Sequence, residues 1–359
     1  MVFTTPAISA LKRKFPDGRI TYLVEAPAEP VVRHHPGIDN VIVVERPRGV
    51  ARLRYDLALA RRLRAERFDL VIDFHGGPRS GLLAWATGAP RRIGYDLPGR
   101  GWCYTTRVGW TRSLVPPRHS VVNQWALLEP LAVEPPDRAR DAVSMPLDPG
   151  AVRRVDERLT AAGIDRDARI IVLHVSAGNP FRRWPASSFA SVAATLAAED
   201  ASRRIIVTSG PSESAAAEAV AEEARRIAAA STSLRAGAAS QIVRTGEFDL
   251  AELGALVDRA ALYIGGDSGP LHVAATTRTP IVALFGPTLP ERSMPWRDPS
   301  IGAIAVDAGD LPCRPCHQRH CVPGDFRCLT AISPTMVIKA SNTLLNDNQA
   351  AGQRQQAEQ

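Results

Sequence analysis

A glycine-rich segment in the second half of the chain has the residue types that bind phosphate groups. Residues 265–272 read GGDSGPLH and follow the apolar run at residues 262–264. A glycine turn that leads into a helix exposes backbone N–H groups, and the positive end of the helix dipole favours an anion there. Ser268 is placed to cap that helix, and its hydroxyl can also donate to a phosphate oxygen. A helix cap without any ligand explains the same spacing equally well.

Two further segments carry basic or acidic residues where apolar runs end. Residues 176–185 (SAGNPFRRWP) contain two arginines, and arginine binds phosphate oxygens in a bidentate way. A solvated basic loop is an equally good interpretation in this arginine-rich chain. Residues 209–213 (SGPSE) end on Glu213, whose carboxylate can accept hydrogen bonds from ribose hydroxyls. The same carboxylate would also stabilise the first turn of a helix with no ligand present.

Four of the five cysteines lie in one short segment with the spacing C-x2-C-x4-C-x6-C. This spacing is compatible with a tetrahedral thiolate zinc site, with His317 and His320 as spare ligands. We identify no secretory signal, so we expect a reducing compartment in which disulfides are not the default. We therefore expect reduced structural cysteines, with a structural zinc ion as the alternative. The four residues are Cys313, Cys316, Cys321 and Cys328.

The composition is that of a globular protein with an excess of arginine. Hydrophobic residues make up 45% and charged residues 23% of 359 residues, which excludes disorder over the whole chain. No apolar run reaches the ~18 residues of a membrane-spanning helix. The net charge is +7, and only three of the 44 basic residues are lysines. The basic stretch at residues 48–67 can contact anionic lipid or an acidic acceptor, or it is a solvated helix face. We do not expect nucleic-acid binding.

The apolar runs alternate with helical stretches in two series, which predicts parallel sheets covered on both faces. Two such series predict an α/β protein with two doubly wound domains. The predicted helices include residues 53–67 and 212–230. The predicted strands are residues 20–24, 41–44 and 68–74 in the first series and 170–173, 205–207, 262–264 and 281–285 in the second.

The boundary between the two domains is expected in the proline-rich segment 133–149, because proline interrupts helices and central strands. We place an N-terminal domain at residues 1–150 and a second domain at 151–330. A C-terminal helix at 331–346 and a disordered tail at 347–359 follow. The first domain opens on a helix signal, Thr4-Thr5-Pro6, whereas a doubly wound domain begins with a strand. We therefore expect its first strand to be missing.

Taken in order, these segments resemble the heptosyltransferases of the bacterial lipopolysaccharide core, glycosyltransferase family 9. The resemblance implies the GT-B fold, in which two Rossmann-like domains face a cleft. It also implies that the C-terminal domain holds the donor and the N-terminal domain the acceptor, and that the C-terminal helix crosses back to the first domain. The matching segments are TTPA at 4–7, FDLVID at 68–73, RIGY at 92–95, RRWP at 182–185, DSGPLHVA at 267–274 and FGPT at 285–288.

The family implies that a heptose passes from a nucleotide-heptose of the ADP-heptose type to a lipid-linked core oligosaccharide, with inversion and without a divalent metal. Ser268 and Gly269 would contact the diphosphate, and Arg182 would replace a phosphate-binding lysine. Glu213 would meet the adenosine ribose, and Asp267 would contact the donor sugar or order the loop. We expect a cytoplasmic enzyme with a peripheral contact at the inner membrane. The donor-binding residues implied are Ser176, Arg182, Glu213, Asp267, Ser268, Gly269 and His272.

The family's general base is an aspartate in a Gly-Asp pair, and by alignment this aspartate would fall immediately before Met1. We therefore assign no catalytic residue within the chain. We expect a start codon placed too far downstream, because the match resumes directly after the missing aspartate. The alternative is a catalytically inert paralogue that binds nucleotide sugars.

Overall fold

The computed structural model describes residues 1–110, 117–231 and 237–357. The chain divides into two compact units. The first contains residues 1 and 3–141, and the second contains residues 2 and 142–359. The division therefore falls within the proline-rich segment 133–149, a few residues before the boundary expected at residue 150.

The first unit has five parallel strands in two separate sheets among its described residues. One sheet pairs β1 with β2, and the other has the order β3-β4-β5. Helices α2 and α3 pack on β2 through an apolar cluster that includes Leu59, Leu63 and Leu83. The strands are β1 (Thr21–Glu25), β2 (Asn40–Val44), β3 (Leu70–Asp73), β4 (Arg91–Asp96) and β5 (Thr106–Gly109), and the helices are α1 (Thr5–Lys14), α2 (Val50–Ala65), α3 (Pro78–Ala86) and α4 (Ser120–Trp125).

Helix α1 begins where the Thr4-Thr5-Pro6 signal predicts, but Thr4 acts differently from a standard cap. Its hydroxyl donates to the Met1 carbonyl at 2.7 Å and contacts the Tyr22 hydroxyl, also at 2.7 Å. The helix N–H groups receive no side-chain cap. The 3₁₀ turn at Val2–Thr4 places the Met1 carbonyl next to this hydroxyl. The hydroxyl therefore bonds to the turn and does not cap the helix. The expectation of a missing first strand stays a prediction.

The second unit contains a six-stranded parallel sheet with the order β11-β10-β9-β6-β7-β8. Its central strands are continuous apolar runs, and residues 170–173 are completely buried. The strands are β6 (Arg169–His174), β7 (Arg203–Thr208), β8 (Ile242–Val243), β9 (Leu262–Gly266), β10 (Ile281–Phe285) and β11 (Ala303–Asp307), and the helices are α5 (Pro149–Ala161), α6 (Ala186–Glu199), α7 (Ser214–Ala230), α8 (Leu250–Asp258), α9 (Gly269–Ala274), α10 (Pro290–Ser293), α11 (Arg327–Thr330) and α12 (Pro334–Ala357).

This strand order is that of the doubly wound nucleotide-binding fold. The chain runs outward from β6 to β8 in one direction and from β9 to β11 in the other. The switch point lies between β6 and β9, and ligands of such sheets bind at the carboxyl ends of the strands there. The segments after β6, β7, β9 and β10 all leave the sheet at this edge because the strands are parallel. The fold therefore brings together the three segments singled out from sequence.

Helix α12 continues well beyond residue 346, where we expected it to end, and runs through Ala357. Its last turns are rich in Ala and Gln, which favour a helix over a disordered tail. Residues 358 and 359 lie outside the described residues. Among the helices that the structure describes, none is long and apolar enough to cross a membrane.

Candidate functional site

Asp267 lies at the centre of a group of polar side chains at the switch point. It directly follows β9, and only 3% of its surface is exposed. One carboxylate oxygen accepts a hydrogen bond from the Thr288 hydroxyl at 2.7 Å and lies 3.2 Å from Nη1 of Arg182. The same nitrogen donates to the Asp267 backbone carbonyl at 3.0 Å. Asp267 therefore links the loop after β6 to the loop after β10.

His272 completes the surroundings of this carboxylate from the first turns of α9. Its Nε2 lies 3.6 Å from the other Asp267 oxygen. Burial by itself would raise the pKa of Asp267, but the contacts with His272 and Thr288 and the charge of Arg182 outweigh it. The pKa therefore lies below its ordinary value, and Asp267 is ionised at neutral pH.

Arg182 is also held by Gln318, a residue of the cysteine-rich segment. The side-chain oxygen of Gln318 accepts from Nε of Arg182 at 2.7 Å and from the Asn179 amide at 2.9 Å. With the contacts to Asp267, the guanidinium is fixed on two sides, yet 29% of the side chain remains exposed. Sequence analysis did not identify Gln318, because nothing in the local pattern connects it with a residue 136 positions away.

Ser268 is the N-cap residue of α9, but its side chain makes no capping hydrogen bond. The expectation that it caps the helix was therefore wrong. Its hydroxyl is buried and has no partner among the described residues, which is costly for a polar atom unless a ligand supplies the bond. A Cβ at Gly269 would meet nothing within 4 Å, whereas one at Gly266 would lie 3.2 Å from the Arg182 carbonyl. Open space therefore adjoins Ser268, and Gly266 permits the close approach of the Arg182 loop.

Ser176 belongs to a second polar group, which joins the ends of β6 and β7. Its hydroxyl accepts a hydrogen bond from the Gly210 N–H at 2.8 Å and lies 3.1 Å from Nε2 of His174. Nδ1 of His174 in turn lies 3.0 Å from the Thr208 hydroxyl. This chain of contacts holds the loop after β6 against the loop after β7.

His174 is the residue of this group that sequence analysis missed. It is only 2% exposed, and burial lowers its pKa to about 4. The ring is therefore neutral at neutral pH and can donate through one nitrogen while accepting through the other. The only signal in the sequence is a histidine at the end of an apolar run.

Glu213 lies in the same region and forms an ion pair with Arg183, with 2.6 Å between Oε1 and Nη2. Arg183 also donates to the Ala177 carbonyl at 2.9 Å. Glu213 is the N-cap residue of α7, but it makes no side-chain cap. The two neighbouring arginines of the loop therefore form ion pairs with different carboxylates: Arg182 with Asp267, and Arg183 with Glu213.

The structure thus distributes the predicted residues over two groups joined by the loop at 177–183. Arg182 and His272 both contact Asp267, and Ser268 and Gly269 follow Asp267 directly. Ser176 and Glu213 form the second group with His174 and Arg183. A partly exposed arginine, an unbonded hydroxyl and open space beside a helix start are features that suit a phosphate ligand.

The cysteine-rich segment packs against the first group. The Cys316 N–H donates to the Pro287 carbonyl at 3.3 Å, and Nη2 of Arg314 donates to the Thr288 carbonyl at 2.8 Å. All four clustered cysteines are free thiols that line one cavity, together with Phe181 and His320. Burial and the neighbouring thiols raise the pKa of Cys328. In the described part of the chain, no three or more His, Cys, Asp or Glu side chains are arranged to hold a metal ion.

Known proteins resemble this chain over nearly its whole length. Lipopolysaccharide heptosyltransferase 3 of Escherichia coli K12 is 28% identical over 99% of this chain and 97% of its own. A solved glycosyl transferase of family 9 from Veillonella parvula covers 96% of this chain and 94% of its own, with 26% identity and a TM-score of 0.78. The E. coli ADP-heptose lps heptosyltransferase II has a TM-score of 0.73 at 18% identity, over 97% of this chain and 96% of its own.

These similarities confirm the α/β, GT-B class of fold predicted from the sequence. The model of glycosyltransferase family 9 (heptosyltransferase) matches residues 57–325. This range contains both polar groups described above, from His174 to Gln318. The chain therefore belongs to glycosyltransferase family 9, and it is a glycosyltransferase.

Proposed function

We propose that this glycosyltransferase moves a heptose from a nucleotide-heptose of the ADP-heptose type to the inner core of lipopolysaccharide, with inversion at the anomeric carbon. The observation that carries the proposal is the Arg182–Asp267–Gln318 arrangement beside the unbonded Ser268 hydroxyl. The names of the similar E. coli proteins, a lipopolysaccharide heptosyltransferase and an ADP-heptose lps heptosyltransferase, support this donor and this acceptor.

In this proposal Arg182, Ser268 and Gly269 bind the diphosphate of the donor. As the sugar–oxygen bond breaks, negative charge builds up on the departing diphosphate. A cation and N–H donors that are already in place stabilise this charge without reorganisation. Asp267 does not touch the phosphate, because two anions would repel each other; it orients Arg182 and the loop. With this set of donors the transfer needs no divalent metal.

The second group is proposed to bind the nucleoside. Glu213, oriented by Arg183, would accept hydrogen bonds from the adenosine ribose. Ser176 and His174 would keep the loop at 209–213 in place, because Ser176 accepts from the Gly210 N–H. A carboxylate held in this way discriminates against nucleosides that lack the ribose hydroxyls. With such a ligand its oxygens are buried without hydrogen-bond donors, and this lowers the free energy gained on binding.

The acceptor is proposed to be a lipid-linked core oligosaccharide bound by the N-terminal unit of a cytoplasmic protein that contacts the inner membrane peripherally. We assign no general base among the residues of this chain. The family resemblance implies an aspartate for that step.

The test is a donor and acceptor panel. We expect purified protein to release ADP from ADP-heptose when core lipopolysaccharide that lacks the heptose to be added is present, and mass spectrometry to show one added heptose. Arg182→Ala should lower kcat/KM by roughly 100-fold or more, as for loss of one charge-stabilising donor. Arg153→Ala, which removes an exposed arginine of α5, serves as the control.

The possible outcomes separate the two hypotheses. Binding of ADP-heptose without transfer to any acceptor would support the inert nucleotide-sugar-binding protein instead. Transfer from a different nucleotide sugar would overturn the donor assignment and keep the enzyme class. Loss of activity with a chelator, restored by a divalent metal, would overturn the metal-free mechanism.

A further inference from the structure

Helix α2 of the first unit exposes apolar side chains on a face that does not pack on the sheet. Val50, Leu53 and Leu57 are 70%, 74% and 50% exposed. Their spacing of three and four residues places them along one face of the helix. Leu59 and Leu63 of the same helix are buried in the apolar cluster, so a different face of α2 packs on the core.

Basic residues surround this exposed apolar face. Residues 48–67 contain seven arginines and two acidic residues, a net charge of +5 in a chain whose total is +7. With 100° of rotation per residue, the side chains of Arg54, Arg61 and Arg64 lie within about 60° of Leu57 around the helix axis, on the outer side of the helix. All three side chains belong to exposed residues, and no ion pair involving them occurs among the described residues. The helix therefore presents aliphatic groups flanked by unneutralised positive charge.

The neighbouring helix α3 adds aromatic residues to the exposed surface of this unit. It is tied to α2 by an ion pair between Arg79 and Asp56 at 2.6 Å. Leu82 and Trp85 of α3 are 49% and 52% exposed, and Trp102 is 53% exposed. The two indole rings pack edge to face with 5.7 Å between their centroids. Half-exposed tryptophans are typical of surfaces that meet the boundary between water and lipid headgroups.

We propose that the outer face of α2, residues 50–64, binds the surface of an anionic membrane. The leucines enter the boundary between headgroups and acyl chains, and the arginines pair with anionic headgroups, as in other interfacial helices. This inference rests on the proposed function in one respect: a lipid-linked acceptor gives the enzyme a reason to bind a membrane. The apolar residues on the outer face of α2 itself (Val50, Leu53 and Leu57) are aliphatic and offer no base-stacking platform, and only Trp85 and Trp102 beside them could stack on bases; this composition favours lipid over nucleic acid.

The experiment is sedimentation of the full chain with phosphatidylcholine vesicles, with and without about a third of phosphatidylglycerol. We expect binding only to the anionic vesicles, and binding that weakens as salt is added. Arg54→Glu/Arg61→Glu should lower the partition coefficient roughly 25-fold, about fivefold for each arginine lost. Leu53→Asp/Leu57→Asp should lower it at least about tenfold in low salt.

Matched controls alter the same residue types elsewhere. Arg153→Glu/Arg226→Glu reverses two exposed arginines of the second unit, and Val322→Asp changes a valine that is 79% exposed; both proteins should bind vesicles like the unchanged chain. Circular dichroism checks that every variant is folded. Equal binding by the α2 variants and the unchanged chain would overturn the proposal. The proposal would also be overturned if the unchanged chain formed dimers that the leucine substitutions abolish. Binding of nucleic acid in place of vesicles would overturn it as well.

Activity assays separate this inference from the proposed function. The α2 variants should transfer heptose to a delipidated core oligosaccharide at the normal rate and lose rate only with acceptor embedded in vesicles. Vesicle binding by a chain that transfers no heptose would keep the membrane surface and reject the proposed function. Transfer to the embedded acceptor that is insensitive to the α2 variants would reject the membrane surface alone.

Discussion

At the residue scale, Asp267 shows how one buried carboxylate can hold together side chains from different segments. It contacts Arg182, Thr288 and His272, which come from three different segments. Each contact favours the ionised form, so together they offset the cost of burying a charge. The exposed part of Arg182 is then presented in a fixed orientation.

Asp267→Asn should therefore disturb both stability and donor binding. Arg182 would lose its charged partner in a largely buried position, and breaking such a pair costs about 3 kcal/mol of unfolding free energy. We expect a lower urea midpoint and a higher KM for the donor, measured by denaturation and steady-state kinetics. Thr288→Val is the matched control: it removes one hydrogen bond to the carboxylate, keeps the charged partner of Arg182, and should cost only about 1.5 kcal/mol. Equal effects of both changes would contradict the assigned role.

His174 makes a second prediction, about the pH dependence of stability. Its pKa is about 4 in the folded protein and about 6.5 in the unfolded chain. Between these values the unfolded state binds the extra proton, so stability falls as pH drops from about 6.5 to 4 and is unaffected above that window. The expected loss for this residue is roughly 3 kcal/mol.

His174→Gln should flatten the urea-midpoint profile of the second unit between pH 6.5 and 4, although it lowers the midpoint at neutral pH. His75→Gln, at an exposed position of the first unit, should leave the profile unchanged. A profile of the His174 variant as steep as that of the original chain would show that other groups dominate the titration.

At the element scale, the cysteine-rich segment holds the loops of the proposed donor site. Gln318 reaches Arg182 and Asn179, and the Cys316 and Arg314 contacts attach the same segment to residues 287 and 288. The segment therefore connects the loop after β6 to the loop after β10 and restricts the movement of both.

Gln318→Ala should raise the KM for the donor by roughly tenfold with a smaller change in kcat. The hydrogen bond to the charged Arg182 contributes about 1.5 kcal/mol, and its loss frees the guanidinium to adopt other rotamers. Val322→Ala, an exposed position of the same segment, should leave both constants unchanged. A loss of kcat alone, with normal donor affinity, would contradict the bracing role.

The state of the cysteines makes a further prediction at this scale. If they are reduced structural thiols, protein purified without chelator contains no stoichiometric zinc or iron. A thiol reagent should then modify the four partly exposed cysteines in the native protein and reach buried Cys103 only after unfolding. One metal equivalent per chain, with the four thiols protected until a chelator is added, would establish the zinc-site alternative.

At the scale of the whole molecule, the division of the chain predicts where a nucleotide acts. The residues proposed to bind the donor, from Ser176 to Gln318, all belong to the second unit, and helix α2 belongs to the first. The two units have separate sheets and separate apolar clusters, so each is stabilised chiefly by its own core.

Hydrogen exchange with ADP should show protection in the segments 176–185, 209–213 and 267–272, because a ligand stabilises the state that it binds. Residues 1–141 should exchange at unchanged rates. AMP lacks the second phosphate and should protect the segment around Arg182 less. Protection confined to residues 1–141 would place the nucleotide in the wrong unit and contradict the donor assignment.

Much of the architecture could be predicted because the second unit's strands are continuous apolar runs bounded by Gly, Pro and Ser. The runs at 170–173, 205–207, 262–264 and 281–285 all lie within observed strands. Strands β8 and β11 were not predicted: both lie at edges of the sheet, and β8 has only two residues. Helix α12 was expected to end at residue 346 but runs to Ala357, because Ala and Gln at its end have high helix propensity.

The sequence by itself determined the fold class, the family and the segments that carry the candidate site, since these depend on local periodicity and on the order of short motifs. Tertiary structure alone decided the partners within the site: Asp267 with Arg182, Glu213 with Arg183, Ser176 with Gly210, and Gln318 with the loop after β6. These pairs join residues far apart in the chain or on facing loops. Only the strand order of the sheet brings such residues within hydrogen-bonding distance, and no local pattern encodes that order.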